Sequence, residues 1–137
     1  MLLGFILASG CGAPKRALVT DLVAGQDLSS FKLDSLRGTR DGDRLDVRAM
    51  FTDTSSMLTV NLRFEINPEA RLRAGNWQAT RNNTLTTGTA TAKSIDFLGG
   101  QSGAPSIGGT FDLATADGTA QYRVRIPLTE LKQRLTK

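Results

Sequence analysis

Few side chains in this chain of 137 residues could do chemistry. The sequence has no histidine and a single cysteine, Cys11. A zinc site, a cysteine–histidine nucleophile and an imidazole general base therefore cannot be built from this chain alone. Asp41, Asp43 and Asp46 lie close together, but basic residues stand between them, which indicates a turn and a salt-bridged strand rather than a calcium loop. We accordingly expect no catalytic residue, no metal ion and no cofactor.

The basic residues suggest a binding role. Seventeen Lys and Arg against thirteen Asp and Glu give a net charge of +4. This small surplus is spread along the chain, which is typical of a mixed-sign surface and not of a nucleic-acid interface. Arg123 and Arg125 alternate on one strand face, where with Arg48 or Arg63 they form a candidate patch for an anionic ligand. The alternative is a solvated sheet face, since nearby acids neutralise part of this charge.

A glycine-rich stretch over residues 99–109 is the second candidate binding surface. Its composition predicts the most flexible loop of the chain, and such loops often carry function, although a plain connection between two sheets is the commoner case. The glycines expected at this surface are Gly99, Gly100, Gly103 and Gly108.

Residues 45–66 dictate a structure most clearly. Apolar and polar residues alternate on both sides of residues 53–56, which predicts a β-hairpin with a four-residue loop. Counting outward from that loop pairs Phe51 with Leu58, Ala49 with Val60, Val47 with Leu62, Leu45 with Phe64, Asp46 with Arg63, and Arg44 with Glu65. Apolar side chains then meet on one face and opposite charges on the other, and a one-residue slip would misplace all of them.

Further strands are predicted around this hairpin, over residues 17–23, 28–38, 70–80 and 84–93. Asp41-Gly42 supplies the turn before the central hairpin. Either a two-residue loop pairs Leu36 with Val47, or a one-residue bulge pairs Leu33 with Ala49; the bulge serves the core better and is preferred.

The C-terminal region predicts one more hairpin and a short helix. An Asp117-Gly118 loop pairs Leu113 with Tyr122, Phe111 with Val124, and Asp112 with Arg123. Pro127 is expected to end the strand, and Thr129 to cap the helix.

These patterns predict an all-β fold for residues 17–137. Seven to nine short strands favour an antiparallel β-sandwich with an immunoglobulin-like layout, and a small closed β-barrel is the alternative. The threonine-rich strand 84–93 has little to bury, which favours an edge position where a partner strand could add.

The N-terminal residues predict export. Residues 1–10 are uncharged and lack a basic start, but they have the apolar composition of a signal segment. Ala8-Ser9-Gly10-Cys11 resembles the lipobox of bacterial lipoproteins. The resemblance implies a lipid on the Cys11 sulfur, cleavage before that residue, and a tether over residues 11–16. A buried thiol in a first strand is the alternative for Cys11.

By the same resemblance, Gly12 implies the outer membrane, facing the periplasm, as the location. We therefore expect an extracytoplasmic, lipid-anchored and non-catalytic binding or assembly module that contacts another envelope protein or the cell wall. A small-ligand carrier is the alternative, with a barrel-type cavity lined by Trp77, Phe97, Phe111 and Tyr122.

The lipobox interpretation makes a direct prediction about Cys11. Full-length protein supplied with a basic start should partition into detergent, and its mature mass should lack residues 1–10, because lipidation of the thiol licenses cleavage. Cys11→Ser should leave the chain uncleaved or soluble. Mass spectrometry after phase partitioning checks both outcomes, and a parent protein that keeps residues 1–10 without lipid would contradict the prediction.

Overall fold

The computed structural model describes residues 17–66, 69–98 and 106–131, and this part of the chain forms nine strands. The strands are β1 (Val19–Asp21), β2 (Gln26–Asp27), β3 (Lys32–Asp41), β4 (Arg44–Thr52), β5 (Ser56–Glu65), β6 (Arg71–Arg81), β7 (Thr84–Leu98), β8 (Ser106–Ala114) and β9 (Gln121–Glu130). No helix that could span a membrane is found among these residues.

The nine strands form a single sheet in the order β2-β1-β9-β8-β7-β6-β5-β4-β3. Every strand pair is antiparallel. The all-β antiparallel prediction is confirmed. The predicted division into two facing sheets is corrected, because all nine strands are hydrogen-bonded into one curled sheet. That sheet resembles half of a barrel, with β2 and β3 at its two ends in the described part of the chain.

The sheet curls because aromatic side chains meet across its concave side. The rings of Phe64 on β5 and Phe111 on β8 pack edge-on with their centroids 6.0 Å apart. Trp77 on β6 and Tyr122 on β9 do the same at 5.5 Å. Each pair joins strands three places apart, which in a flat sheet would be separated by about 14 Å. The apolar side chains on the concave side are therefore buried against one another within one sheet, and not against a second sheet as in a sandwich.

The core lies on this concave side and follows the alternation of the sequence. Its fully buried large side chains come from β1, β4, β5, β6, β8 and β9 and from the residue after β9: Val19, Leu45, Phe51, Val60, Phe64, Trp77, Ile107, Phe111, Leu113, Val124 and Leu131. On β4 and β5, the opposite, convex side carries mostly polar residues.

Two hairpins have the predicted register. Every pair predicted for the central hairpin is present in the pairing of β4 with β5. The three pairs predicted for the last hairpin are also confirmed. Its loop is longer than two residues, however, because the backbone pairing ends with Thr115 N–H donating to Ala120 C=O.

The pairing of β3 with β4 corrects both predicted registers. The loop is Gly42-Asp43, one residue later than predicted, so Leu36 lies opposite Ala49. A bulge is present, but it lies between Leu33 and Ser35 and places Leu33 opposite Phe51. The preferred pairing of Leu33 with Ala49 is therefore wrong.

The threonine-rich strand is not an edge strand. It forms part of β7, which lies between β6 and β8. Residues 84–89 pair with β6, and residues 89–98 pair with β8. Each half of β7 thus has one paired side, which explains why its composition resembles that of an edge strand although its position is internal.

The predicted C-terminal helix does not begin at Thr129, because β9 continues past Pro127 to Glu130. Residues 132–137 lie outside the described part of the chain. Leu131 is fully buried, and its Cδ1 atom would lie 2.6 Å from a Cβ atom placed on Gly38 of β3. The residue after β9 therefore packs on the far end of the sheet.

Gly88 on β7 supplies a test of this packing. Trp77 Nε1 donates a hydrogen bond of 3.3 Å to the Ala114 carbonyl beside Gly88. A Cβ atom on Gly88 would overlap that carbonyl oxygen and approach Trp77 Nε1 to 2.6 Å. Gly88→Ala should therefore lower the free energy of unfolding by about 1–3 kcal/mol. Urea denaturation followed by the fluorescence of Trp77 measures the change.

The matched control is Thr87→Ala, an exposed position on the same strand. Its expected effect is within about 0.5 kcal/mol. Equal stability of Gly88→Ala and the parent protein would contradict the described packing of β7 against β8.

Candidate functional site

The four arginines of the predicted anionic-ligand patch do not meet. Arg48 and Arg63 lie on β4 and β5, and Arg123 and Arg125 lie on β9. Strands β6, β7 and β8 separate the two pairs in the sheet. The single patch expected from the sequence is thus corrected to two separate basic areas.

The glycine-rich surface is placed only in part. Gly99, Gly100 and Gly103 lie outside the described residues, as do Cys11 and the tether. Gly108 is buried within β8, where a Cβ atom would lie 2.7 Å from both Ile126 O and Leu128 N. Gly108 therefore allows close backbone packing and is not available to a partner.

The area on β9 is largely neutralised. Arg123 donates two hydrogen bonds to Asp112, of 2.7 and 3.2 Å, and this interaction raises the pKa of its guanidinium. A groove of about 450 Å³ lies beside it, lined also by Lys93, Asp27 and Arg125. Because Arg123 is already paired with a carboxylate through two hydrogen bonds, this groove is the weaker candidate for an anion site.

The area on β4 and β5 belongs to a larger groove of about 530 Å³ on the convex side of the sheet. Two rows of side chains form its walls, each running across the strands from β3 to β6. We name them the Arg–Asn row, consisting of Arg37, Arg48, Asn61 and Asn76, and the Asp–Arg row, consisting of Thr39, Asp46, Arg63 and Ala74. Val47 and Leu62 turn their side chains to the core between the two rows, so their backbone forms the floor of this cross-strand groove.

The Asp–Arg row is balanced in charge. Arg63 Nε donates to Asp46 Oδ1 at 2.9 Å, and Arg44 Nε lies 3.4 Å from Asp46 Oδ2. These contacts confirm the predicted cross-strand pairing of Asp46 with Arg63. The charge of Arg63 is therefore neutralised within this wall of the groove. Its remaining N–H groups can still donate to solvent or to a ligand.

The Arg–Asn row is not balanced. Arg48 Nε donates to Asn61 Oδ1 at 3.2 Å, and Asn61 Nδ2 donates to Asn76 Oδ1 at 3.2 Å. Arginine has only donors, so it fixes the Asn61 oxygen toward itself, and this in turn fixes Asn76. The charge of Arg48 thus meets amide groups and no carboxylate among the described residues.

Arg37 adds a second positive charge at the cross-strand position opposite Arg48. It lies opposite Arg48 in the pairing of β3 with β4, and both side chains are exposed. No described residue forms an ion pair or hydrogen bond with the Arg37 side chain. Like charges directly opposite each other in an antiparallel pair are destabilising, so this arrangement lowers stability unless an anion binds there.

The sequence patterns predict Arg48 and Arg63 as binding residues but do not predict Arg37, Asn61 and Asn76. An Asp41-Gly42 loop would have placed Arg37 opposite Asp46, in an ion pair, whereas the observed loop places it opposite Arg48. Asn61 could have been found, because the correctly predicted register of β4 with β5 already puts it beside Arg48. Asn76 could not, because a register shift opposite Arg63 and Phe64 intervenes.

The described residues contain no group of three or more His, Cys, Asp or Glu side chains able to hold a metal ion. Comparison with protein-family models, curated proteins and solved structures finds no match to this chain. The geometry of the cross-strand groove is therefore the basis for the functional argument.

The repulsion between Arg37 and Arg48 can be measured. Arg37→Glu places a carboxylate opposite Arg48 and should raise the free energy of unfolding by about 0.5 kcal/mol at low salt. The gain should shrink as salt screens the new pair. Urea denaturation at two ionic strengths measures it.

Arg40→Glu is the matched control, since it changes the net charge equally on the same strand but lies opposite Leu45. It should give no such gain, because the substitution removes the hydrogen bond from Arg40 Nε to Gly42 O and adds a negative charge near Asp41 and Asp43. Equal stabilisation by both substitutions would show that net charge alone is responsible and that the arginine pair is not repulsive.

Proposed function

We propose that this protein is a lipid-anchored, extracytoplasmic and non-catalytic binding module of the cell envelope, and that its cross-strand groove binds an anionic component. The observation that carries the proposal is the pairing of Arg37 with Arg48, two exposed guanidinium groups without a carboxylate partner in the described part of the chain. A bound anion would offset this repulsion and accept charge-assisted hydrogen bonds from both guanidinium groups, which are stronger than hydrogen bonds between neutral groups.

The lipid anchor on Cys11 restricts where such a partner lies. Residues 11–16 precede the described domain and, fully extended, reach at most about 20 Å. The groove would therefore operate close to a membrane surface, with the outer membrane facing the periplasm as the location that the lipobox resemblance implies. Another envelope protein or a cell-wall component near that membrane is the expected partner.

The carboxyl groups support a non-catalytic role. Among the described residues, two carboxyl groups have a clearly shifted pKa, and in both cases it is lowered. Asp53 accepts hydrogen bonds from the backbone N–H groups of Ser55 and Ser56, and Asp117 accepts them from the backbone and hydroxyl of Thr119. Both are turn-forming contacts at hairpin loops. A general acid requires the opposite shift, a raised pKa.

The small-ligand carrier has less support. Trp77 packs edge-on against Tyr122, and Phe111 packs edge-on against Phe64. These rings contact one another across the concave side, so they contribute to a filled core instead of the open cavity that a carrier requires.

Binding of a model polyanion tests the proposal. The full-length lipoprotein in nonionic detergent should bind dextran sulfate and not neutral dextran, and the affinity should fall as salt is raised. Replacing both Arg37 and Arg48 by Ala should weaken binding about tenfold or more, because each guanidinium supplies charge-assisted hydrogen bonds. Microscale thermophoresis measures these affinities.

Two control substitutions remove the same charge elsewhere. Arg40→Ala together with Arg81→Ala should leave the affinity close to that of the parent, since neither residue lines the groove. If the control pair loses as much affinity as the Arg37 and Arg48 pair, binding follows net charge and the proposed site is wrong.

A further inference from the structure

The groove has the shape of a site for a chain-like ligand. Its two walls run across four strands, which gives them a length of about 14 Å. The Asp–Arg row ends in small side chains, Thr39 on β3 and Ala74 on β6. An elongated ligand can therefore lie between the two rows, across the strands.

The side chains of the walls offer more hydrogen-bond donors than free acceptors. The side-chain oxygens of Asn61 and Asn76 accept hydrogen bonds from Arg48 and Asn61 respectively. The two oxygens of Asp46 are held by Arg63 and Arg44. What remains for a ligand is the Arg37 guanidinium, the terminal nitrogens of Arg48 and Arg63, the Thr39 hydroxyl and the amide N–H groups of the two asparagines that are not already donated. The matching ligand is rich in acceptor oxygens.

The donors also change in charge along the groove. The positions on β3 and β4 carry two positive charges, whereas the positions on β5 and β6 in the same row carry neutral amides. A ligand that fits both halves has an acidic group followed by a neutral, oxygen-rich group. None of the ten residues that line the groove is aromatic. The affinity for a ligand therefore has to come from charge and hydrogen bonding, not from stacking on an aromatic ring.

From these features we infer that the groove binds an acidic polysaccharide lying across the strands, with an acidic sugar at Arg37 and Arg48 and a neutral sugar at Asn61 and Asn76. This inference rests on the proposed function and specifies its ligand class. An acidic peptide fits less well, because its backbone N–H groups would find few acceptors in these walls beyond the Thr39 hydroxyl. Peptide strands also pair with sheet edges, whereas the groove lies on a sheet face.

Three oligomers distinguish the ligand classes. A hyaluronan octasaccharide alternates acidic and neutral sugars, a chitin oligosaccharide of the same length is neutral, and poly-L-glutamate of matched charge is an acidic peptide. Isothermal titration calorimetry with the full-length lipoprotein in nonionic detergent should show that hyaluronan binds at least tenfold more tightly than the other two. Equal or tighter binding of poly-L-glutamate or of the neutral oligosaccharide overturns the inference.

A pair of amide substitutions tests the neutral half of the site. Asn76→Ala should weaken hyaluronan binding severalfold and poly-L-glutamate binding less, because Asn76 lies at the inferred position of the neutral sugar. Gln78→Ala is the matched control, an exposed amide on the same strand that does not line the groove. Equal losses of hyaluronan affinity in the two variants overturn the inference.

The outcome for dextran sulfate separates this inference from the proposed function. If dextran sulfate binds through Arg37 and Arg48 but hyaluronan does not bind, the polysaccharide assignment is wrong and anion binding stands. If neither polyanion binds, both are wrong.

Discussion

The pairing of Gly38 with Val47 fixes both the packing on the concave side of the sheet and the position of two arginines on its convex side. On the concave side, the missing side chain of Gly38 leaves the space that Leu131 fills, so the residue after β9 can pack on β3 at the far end of the sheet. On the convex side, the same register places Arg37 opposite Arg48. Because successive side chains of a strand point to opposite faces, the core cannot adopt this packing without also bringing the two arginines together.

The parts of the fold that could be predicted from the sequence are those in which both faces of a strand pair carry a signal. In β4 and β5, apolar pairs on one side agree with charge pairs such as Asp46 and Arg63 on the other, and only one register satisfies both. In β3, the inward positions include Gly38 and Arg40, which do not resemble core residues, and a bulge interrupts the alternation. The register was therefore underdetermined, and Arg37 was missed with it.

The single curled sheet depended on contacts that are distant in sequence. The alternation of apolar and polar residues predicts that Phe64 and Phe111 face a core. It does not indicate whether their rings meet between two sheets or across one curled sheet. The internal position of β7 was hidden for a different reason. Its two halves pair with different neighbours, so each half has the composition of a strand with one free side. For the site, Arg48 and Arg63 follow from the predicted hairpin, whereas their separation from Arg123 and Arg125 follows only from the strand order.

The central claim is that Arg37 and Arg48 repel each other until an anion lies between them. A double-mutant cycle on these two residues, measured by urea denaturation with and without dextran sulfate, tests this most directly. Without the polyanion, the coupling free energy should be unfavourable by about 0.5 kcal/mol at low salt. With the polyanion it should become favourable, because both residues then bind the same ligand. A coupling of zero without the polyanion, or one that the polyanion leaves unchanged, would contradict the account.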